Sequence, residues 1–187
     1  MPPLADSAPD GLPIIAFADS PAFETWLETN SEVADGLWVR FAKAKSGIDS
    51  VTYSEAVDVA LCHGWIDAQK RGYDDLTWIQ RFVPRRPKSK WSQTNRERIE
   101  RLTAAGRMRP GGLREVERAK EDGRWDDAYP GARNATIPDD LQKALDEAGL
   151  GDAFAGLKSA ERYSVIYRLH HTKRAETRAR TIATLLD

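Results

Sequence analysis

The chain has 187 residues, of which 41% are hydrophobic and 30% charged, and its 28 Lys and Arg residues offset 29 Asp and Glu residues to a net charge of −1. A chain of this length can bury a core, whereas its near-neutral charge excludes a polyanion binder that works by bulk charge. The single cysteine, Cys62, excludes a disulfide framework within the chain and a thiolate metal cluster.

The first 90 residues carry patterns typical of a small sheet with helices. Residues 1–13 are rich in Pro, Asp and Gly, and we expect a flexible tail there. Beyond the tail, helical spacing of apolar residues alternates with two-residue periodicity, and a capping box of Thr52 and Glu55 marks the start of one helix. Pro84 ends regular pairing after the last strand. The elements predicted in chain order are a helix over 20–30, a strand over 36–43, a helix over 52–63, and two strands over 65–70 and 76–83.

From residue 91 onward the pattern is helical. Pro favours the first turn of a helix and Gly the residue that follows its end, and both types separate the segments here. We interpret Gly111-Gly112, which follows Pro110, as a turn and expect Leu113 to point inward. Helices are predicted over 92–105, 110–123 and 138–149, and after caps at Ser159 and Thr172.

Strands that precede a run of helices indicate an α+β fold. We predict a small antiparallel or mixed sheet of about three strands with helices, followed by a helical C-terminal part. A single domain is expected over residues 14–187, with a sheet-containing part over 14–90 and a helical part over 91–187. The helices of the second part carry little apolar surface each, so we expect them to pack on other elements rather than stand alone.

The most informative segment is residues 81–102, the basic stretch, which carries eight basic residues and two acidic ones in an almost neutral chain. Arg guanidinium groups match the two oxygens of a carboxylate or a phosphate. We therefore predict an anion-binding site, with direct contacts from Arg81, Arg85, Arg86, Lys88, Lys90 and Asn95 and with Trp65, Asp67 and Trp91 as walls or supports. The alternative interpretation is a solvated loop whose Arg side chains pair with acidic residues elsewhere, such as Asp126 and Asp127.

A second segment contains Cys62, His63 and Asp67 within six residues. Cysteine catalysis needs a thiolate and an imidazole within hydrogen-bond reach, but neighbouring helix residues diverge by about 100°. We therefore predict that Cys62 is a small core residue. Asp67 is expected to pair with an Arg of the basic stretch, either as a general acid or base or as a structural partner. His170 and His171 also point apart on one helix, and we predict neither a metal site nor a cofactor.

Several signatures are absent from the sequence. No GxxxxGK[S/T], GxGxxG or GxSxG motif occurs, so nucleotide hydrolysis, dinucleotide chemistry and α/β-hydrolase chemistry have no support. The apolar run over residues 12–18 is interrupted by Pro13 and is too short to span a membrane. The first residues lack the basic region of a secretory signal, and we expect a soluble, cytoplasmic protein.

Several short words occur in a fixed order along the chain. They are Gly36-Leu-Trp-Val, Leu61-Cys-His-Gly-Trp-Ile-Asp67, Arg81-Phe-Val-Pro-Arg-Arg86, Ser89-Lys-Trp-Ser-Gln-Thr-Asn95, Gly106-Arg-Met108, Gly123-Arg-Trp125 and Thr177-Arg-Ala-Arg180. Together, over about residues 22–187, they resemble the YdeI/OmpD-associated family of bacterial proteins, also described as bacteriocin-protection proteins. The resemblance implies a soluble bacterial protein linked to tolerance of bacteriocins or antimicrobial peptides, or to envelope stress. It implies no established reaction, cofactor or catalytic residue.

Three functions are compatible with these features. The leading hypothesis is a non-catalytic stress-tolerance protein that binds an anionic small molecule or an acidic protein surface at the basic stretch. The second is an enzyme acting on a phosphorylated or carboxylated small molecule with Asp67 as acid or base, which requires Asp67 to line a cleft beside the Arg cluster. The third is a single-stranded nucleic-acid binder, with Trp91 as a stacking platform and a basic groove that joins residues 81–101 to 162–180.

Overall fold

The computed structural model describes residues 6–186, with side chains from Ala8 onward. Its strands in this range are β1 (Asp6–Ser7), β2 (Pro13–Ala16), β3 (Leu37–Ala42), β4 (Trp65–Gly72) and β5 (Thr77–Pro84). They form one five-stranded sheet in the order β1-β2-β3-β5-β4. The sheet is mixed, because β2 runs parallel to β3 while the other neighbouring strands are antiparallel.

Eight helices accompany the sheet in the same range of residues. They are α1 (Ser20–Asn30), α2 (Tyr53–Cys62), α3 (Gln93–Ala104), α4 (Pro110–Glu121), α5 (Asp139–Glu147), α6 (Gly151–Gly156), α7 (Ser159–His170) and α8 (Ala175–Leu186). α1 begins after Asp19, whose Oδ1 accepts a hydrogen bond from the N–H of Ala22 at 2.9 Å. The predicted capping box of α2 is confirmed, since Thr52 and Glu55 each accept a hydrogen bond from the other's backbone N–H.

The α+β class and the helical C-terminal part are confirmed, but the prediction of about three strands is wrong, because the described residues contain five. β1 and β2 are two and four residues long, too short to show a two-residue period, and β2 begins at Pro13. β2 forms because it pairs with β3, which lies beyond α1 in the sequence. Local pattern carries no signal for such a distant pairing.

Residues 6–13, the described part of the predicted flexible tail, take part in the sheet. Ala8 is buried against Trp38 of β3, and Asp10 accepts a hydrogen bond from Trp38 Nε1 at 3.1 Å. An apolar contact and a hydrogen bond to an indole thus attach this segment to the sheet, where the sequence predicted flexibility. The rest of the predicted tail, residues 1–5, lies outside the described residues.

The chain divides into two compact units. The first contains the described residues up to Trp91 together with Asn95–Asp127, and the second contains Ser92–Thr94 and the described residues from Ala128 onward. The first unit therefore holds the sheet and also α4, which the sequence assigned to the helical part. The single domain over 14–187 remains a prediction.

The sheet of the first unit buries large apolar side chains on both faces. Leu37 and Phe41 point to one face, where Phe82 of β5 and Phe23 of α1 pack with ring centroids 5.6 Å apart. Trp38 points to the opposite face and is fully buried there. Each large apolar side chain removed from water in this way stabilises the fold by about 1.5–3 kcal/mol.

Two glycines in the first turn of α4 let it approach the end of α2. A Cβ atom on Gly111 would lie 2.7 Å from the carbonyl oxygen of His63, and one on Gly112 would overlap the carbonyl oxygen of Cys62. The prediction that Gly111-Gly112 form a turn is wrong, because both residues are helical and permit this close contact. Leu113, predicted to point inward, is 42% exposed, since the glycines make the contact instead.

The second unit has its own apolar cluster. Leu141 and Leu145 of α5 are buried in it with Phe154, Leu169 and Ile182. The sequence missed α6, which spans only six residues. The predicted cap at Thr172 is wrong, because α8 begins at Ala175 and the Thr172 hydroxyl donates to the carbonyl oxygen of Arg168 at 2.8 Å.

Candidate functional site

Arg81, the first residue of the basic stretch, lies on β5 directly opposite Trp38 of β3. Its Nε is 3.5 Å from Asp10 Oδ2, and Asp10 also accepts a hydrogen bond from Trp38 Nε1. The Arg81 side chain therefore helps to hold the segment after β1 on the sheet. Its predicted role at an anion site is untested, and the structure gives it an intramolecular partner.

Arg85 is buried, with only 5% of the residue exposed. Its guanidinium carbon lies 3.5 Å from the ring centroid of Trp91, and its Nη1 donates to the carbonyl oxygen of Lys90 at 3.1 Å. The Arg85 N–H donates to the carbonyl oxygen of Gly64 at 2.9 Å. A cation stacked on an indole in this way is well suited to fix the loop that joins the two residues.

Residues 86–90, the basic loop, have a backbone held at several points. The N–H of Arg86 donates to Ser89 Oγ, and the N–H of Ser89 donates to the carbonyl oxygen of Arg86, both at 2.9 Å. Arg124, itself paired with Asp122, donates from Nη1 to the carbonyl oxygen of Ser89 at 2.7 Å. Arg86, Lys88 and Lys90 are the charged side chains of the loop, and all three are exposed together with Pro87.

Trp91 is only 2% exposed. Its ring packs edge-on against Trp125, with centroids 5.1 Å apart, while Arg85 covers it. A base cannot stack on a ring that is buried in this way, so Trp91 does not provide the predicted stacking platform. Sequence reasoning missed Trp125 and Arg124 as supports of this loop, although both lie in the word Gly123-Arg-Trp125.

The arginines in the C-terminal half of the basic stretch form contacts within the protein. Arg98 and Arg101 of α3 each bind one carboxylate oxygen of the buried Asp58 on α2, at 2.5 and 2.6 Å. Arg96 donates to the carbonyl oxygen of Trp125 at 2.9 Å. Asn95, a predicted ligand contact, is half-buried in the first turn of α3.

At least five of the eight basic residues of the stretch therefore have partners inside the protein. Three of them, Arg81, Arg98 and Arg101, pair with acidic residues as the alternative interpretation expects, whereas Arg85 and Arg96 bond to carbonyl oxygens. The acidic partners found are Asp10 and Asp58, whereas the sequence had suggested Asp126 and Asp127. The three cations of the basic loop are exposed.

Trp65 and Asp67 both lie on β4 and have partners in neighbouring segments. Trp65 is 1% exposed, and its Nε1 donates to the carbonyl oxygen of Ser31 at 3.1 Å. Asp67 accepts a hydrogen bond from the Tyr53 hydroxyl at 2.7 Å. Its partner is thus a hydroxyl, and the expected pairing with an Arg of the basic stretch is not found among the described residues.

Cys62 and His63 do not form a catalytic pair. Burial raises the pKa of the Cys62 thiol to about 11, so the thiol is protonated at neutral pH and is a poor nucleophile. Burial also lowers the pKa of His63, against the opposing influence of Glu24. Cys62 is therefore a core residue, as its position on the helix predicts.

His170 and His171 belong to an aromatic cluster in the second unit. The His171 ring packs edge-on against Tyr167 and Tyr129, with centroids 4.4 and 5.5 Å away. Within residues 6–186, no group of three His, Cys, Asp or Glu side chains is arranged to hold a metal ion. His170 also lines a cavity of about 410 Å³ with Lys173, Arg178 and apolar residues of the same unit.

The basic residues near the C-terminus are partly paired. Arg178 binds both carboxylate oxygens of Asp140 and also donates to the carbonyl oxygen of Leu169. Arg180 lies 3.6 Å from Glu176. Separately, the helices of the described range are all too short or too polar to cross a membrane.

Two family models match separate parts of the chain. Residues 15–115 match a model described as a domain of unknown function (DUF8412), and residues 134–187 match one described as "Bacteriocin-protection, YdeI or OmpD-Associated". The second match confirms the resemblance over that C-terminal segment, which lies in the second unit. No curated protein and no solved structure matches the chain. The basic loop lies within the first matched segment.

Proposed function

The chain belongs to the family of the domain of unknown function DUF8412, whose model covers more than half of it. From this match and the C-terminal match, we propose that the protein is a non-catalytic binding protein that contributes to bacteriocin tolerance. The basic loop would bind a carboxylate or phosphate group, on an acidic protein surface or an anionic small molecule. The expected location is the bacterial cytoplasm.

The observation that carries this proposal is the fixed backbone of the basic loop. Its hydrogen bonds and the Arg85–Trp91 stack hold Arg86, Lys88 and Lys90 on one short exposed segment. A preorganised loop loses less conformational freedom on binding than a mobile one, so more of the interaction energy appears as affinity. Three cations on such a loop favour an anionic partner.

The two other functions have weaker support from the structure. The nucleic-acid hypothesis loses its stacking platform, because Trp91 is buried. The enzyme hypothesis required Asp67 beside the Arg cluster, but the Tyr53 hydroxyl is its partner. Neither hypothesis gains a specific observation in its favour.

The test replaces Arg86, Lys88 and Lys90 by Ala together and leaves the buried Arg85 unchanged. Thermal shift is measured against inorganic phosphate, citrate, a poly-glutamate peptide and a short single-stranded oligonucleotide. A ligand that binds only the folded state raises the melting temperature in a dose-dependent manner. We expect the triple variant to lose this shift, and the responding probe distinguishes a small anion from an acidic peptide.

The matched control replaces Lys143, Arg174 and Arg180, three exposed cations of the second unit, by Ala. It removes the same charge and should keep the shift. Equal shifts for the wild type and the loop variant would contradict anion binding at the loop. Bacteriocin tolerance is tested separately, by survival of cells that carry the wild type, the loop variant or an empty vector. Equal survival with the wild type and the empty vector would contradict that part of the proposal alone.

A further inference from the structure

Trp78 lies on β5 at the end of the sheet, between Phe41 of β3 and Gly72 of β4. One face of its indole stacks on the Phe41 ring, with centroids 4.6 Å apart and planes 21° from parallel. The neighbouring position on β4 is a glycine, and a Cβ atom built on Gly72 meets nothing within 4 Å. The sheet therefore leaves an open space next to an aromatic side chain.

This space is a cavity of about 490 Å³, called here the Trp78 cavity, which Gly72, Lys43, Lys70 and Arg71 line with Trp78. Its volume falls within the range of about 300–1,000 Å³ typical of small-molecule sites. A second cavity of about 460 Å³ adjoins it, since Lys43 and Trp78 line both. Residues 46–52 contribute to the lining of the second cavity.

The charge of the Trp78 cavity is positive. Lys70 Nζ lies 4.3 Å from the ring centroid of Trp78, and Lys43 Nζ donates to the carbonyl oxygen of Asp74 at 2.8 Å. The Arg71 guanidinium lies 5.0 Å from the ring of Trp38, on the opposite face of the sheet from Trp78, so Arg71 lines the cavity without directing its charge into it. No ion pair joins Lys43 or Lys70 to a carboxylate of the described residues, and rings and carbonyl oxygens do not neutralise these two cations.

We propose that the Trp78 cavity binds a planar organic anion, meaning an aromatic or heteroaromatic ring that carries a carboxylate or a phosphate. The ring would pack beside the indole in the space that a side chain at position 72 would otherwise fill. The anionic group would lie at Lys70, with Lys43 lining the same cavity, because a cation without an ion pair gains from an opposite charge. Since Phe41 stacks on the indole and Lys70 lies over it, the ligand ring would make an edge-on contact beside Gly72, one of the arrangements that aromatic pairs prefer.

The site is independent of the proposed function, since the basic loop contributes none of its lining residues. It also takes a different class of ligand, because a ring is required in addition to the charge. Asp49, on the loop of the adjoining cavity, is the one acidic residue among the described residues that line the two cavities. The anion should therefore bind on the β4 side, away from Asp49.

The test measures binding of adenosine monophosphate and 1-naphthoate to the full chain by isothermal titration calorimetry. Adenosine supplies a ring without the charge, and inorganic phosphate supplies the charge without a ring. We expect at least one of the two ring-bearing anions to bind about tenfold or more tightly than both controls. Binding no tighter than that of phosphate alone would overturn the proposal.

Variants locate the site. Gly72→Leu fills the Trp78 cavity and should weaken binding by about tenfold or more, while Gly72→Ala adds one methyl group and should weaken it much less. Lys43→Gln with Lys70→Gln should reduce the affinity of the anions to that of the uncharged ring, whereas Arg71→Gln should leave it unchanged because the Arg71 guanidinium lies on the opposite face. Thermal melts of each variant verify folding, and the loop variant with Arg86, Lys88 and Lys90 replaced should bind as the wild type does. Unchanged affinity in both Gly72→Leu and the Lys43–Lys70 variant would contradict the site.

Discussion

The Arg85 side chain holds the basic loop through its contacts with Trp91 and Lys90. The side chain of Arg86, the next residue, is exposed and contributes charge. Replacing Arg85 by Ala removes the stack on Trp91 and the hydrogen bond to the carbonyl oxygen of Lys90. We expect a decrease of about 2–3 kcal/mol in the free energy of unfolding, measured by urea denaturation. Arg86→Ala is the matched control, and its effect should stay within about 0.5 kcal/mol because the side chain is exposed.

Arg85→Lys separates stacking from charge, because Lys keeps the charge but lacks the planar guanidinium. The free energy of unfolding of Arg85→Lys should decrease by most of the amount expected for Arg85→Ala. Equal effects of Arg85→Ala and Arg86→Ala would show that the stack does not stabilise the fold. The sequence could not distinguish these two residues, since adjacent arginines have the same propensity and charge. The difference arises from Trp91, which packs against one of them only.

At the scale of helices, the contact between α2 and α4 depends on the absence of a side chain at Gly112. Gly112→Ala would place a methyl group against the carbonyl oxygens of Leu61, at 2.8 Å, and Cys62. The helices must then separate, and overpacking of this kind costs about 1–3 kcal/mol. Urea denaturation should show this loss, although Ala has the higher helix propensity.

Gly156→Ala provides the control for that substitution. Gly156 is the last residue of α6, its φ is not positive, and an added Cβ atom meets nothing within 4 Å. The free energy of unfolding of Gly156→Ala should therefore equal that of the wild type or slightly exceed it. A neutral effect of Gly112→Ala would mean that the two helices can move apart without cost.

The elements that sequence predicted well are those with a local signal. Alternation identified β3, and the Thr52–Glu55 capping box identified α2. The elements that it missed, β1, β2 and α6, are six residues long or shorter. The partners of the basic stretch were also missed, because Asp58 meets Arg98 and Arg101 only after α2 and α3 have folded against each other.

At the scale of the whole molecule, stability should fall in acid in two stages. Burial lowers the pKa of His63 below its ordinary value of 6.5, so below about pH 6.5 the unfolded chain takes up a proton that the folded chain resists. The hydrogen bond from Arg178 holds the pKa of Asp140 below its ordinary value of 3.8, so this contribution is present above 3.8 and is lost as the pH falls further. Both shifts favour the folded state at neutral pH.

The first stage can be assigned to His63 because its environment differs from that of the exposed charges. Its Nε2 is buried, and no hydrogen-bond partner for it is found among the described residues. In His63→Leu, the free energy of unfolding should decrease less between pH 7 and pH 5 than in the wild type, as measured by urea denaturation at each pH. Asp140→Asn is the control, since it should alter the dependence only near and below pH 4. If the free energy of unfolding changed with pH in the same way for the wild type and His63→Leu above pH 5, the imidazole would be protonated without cost in the folded protein.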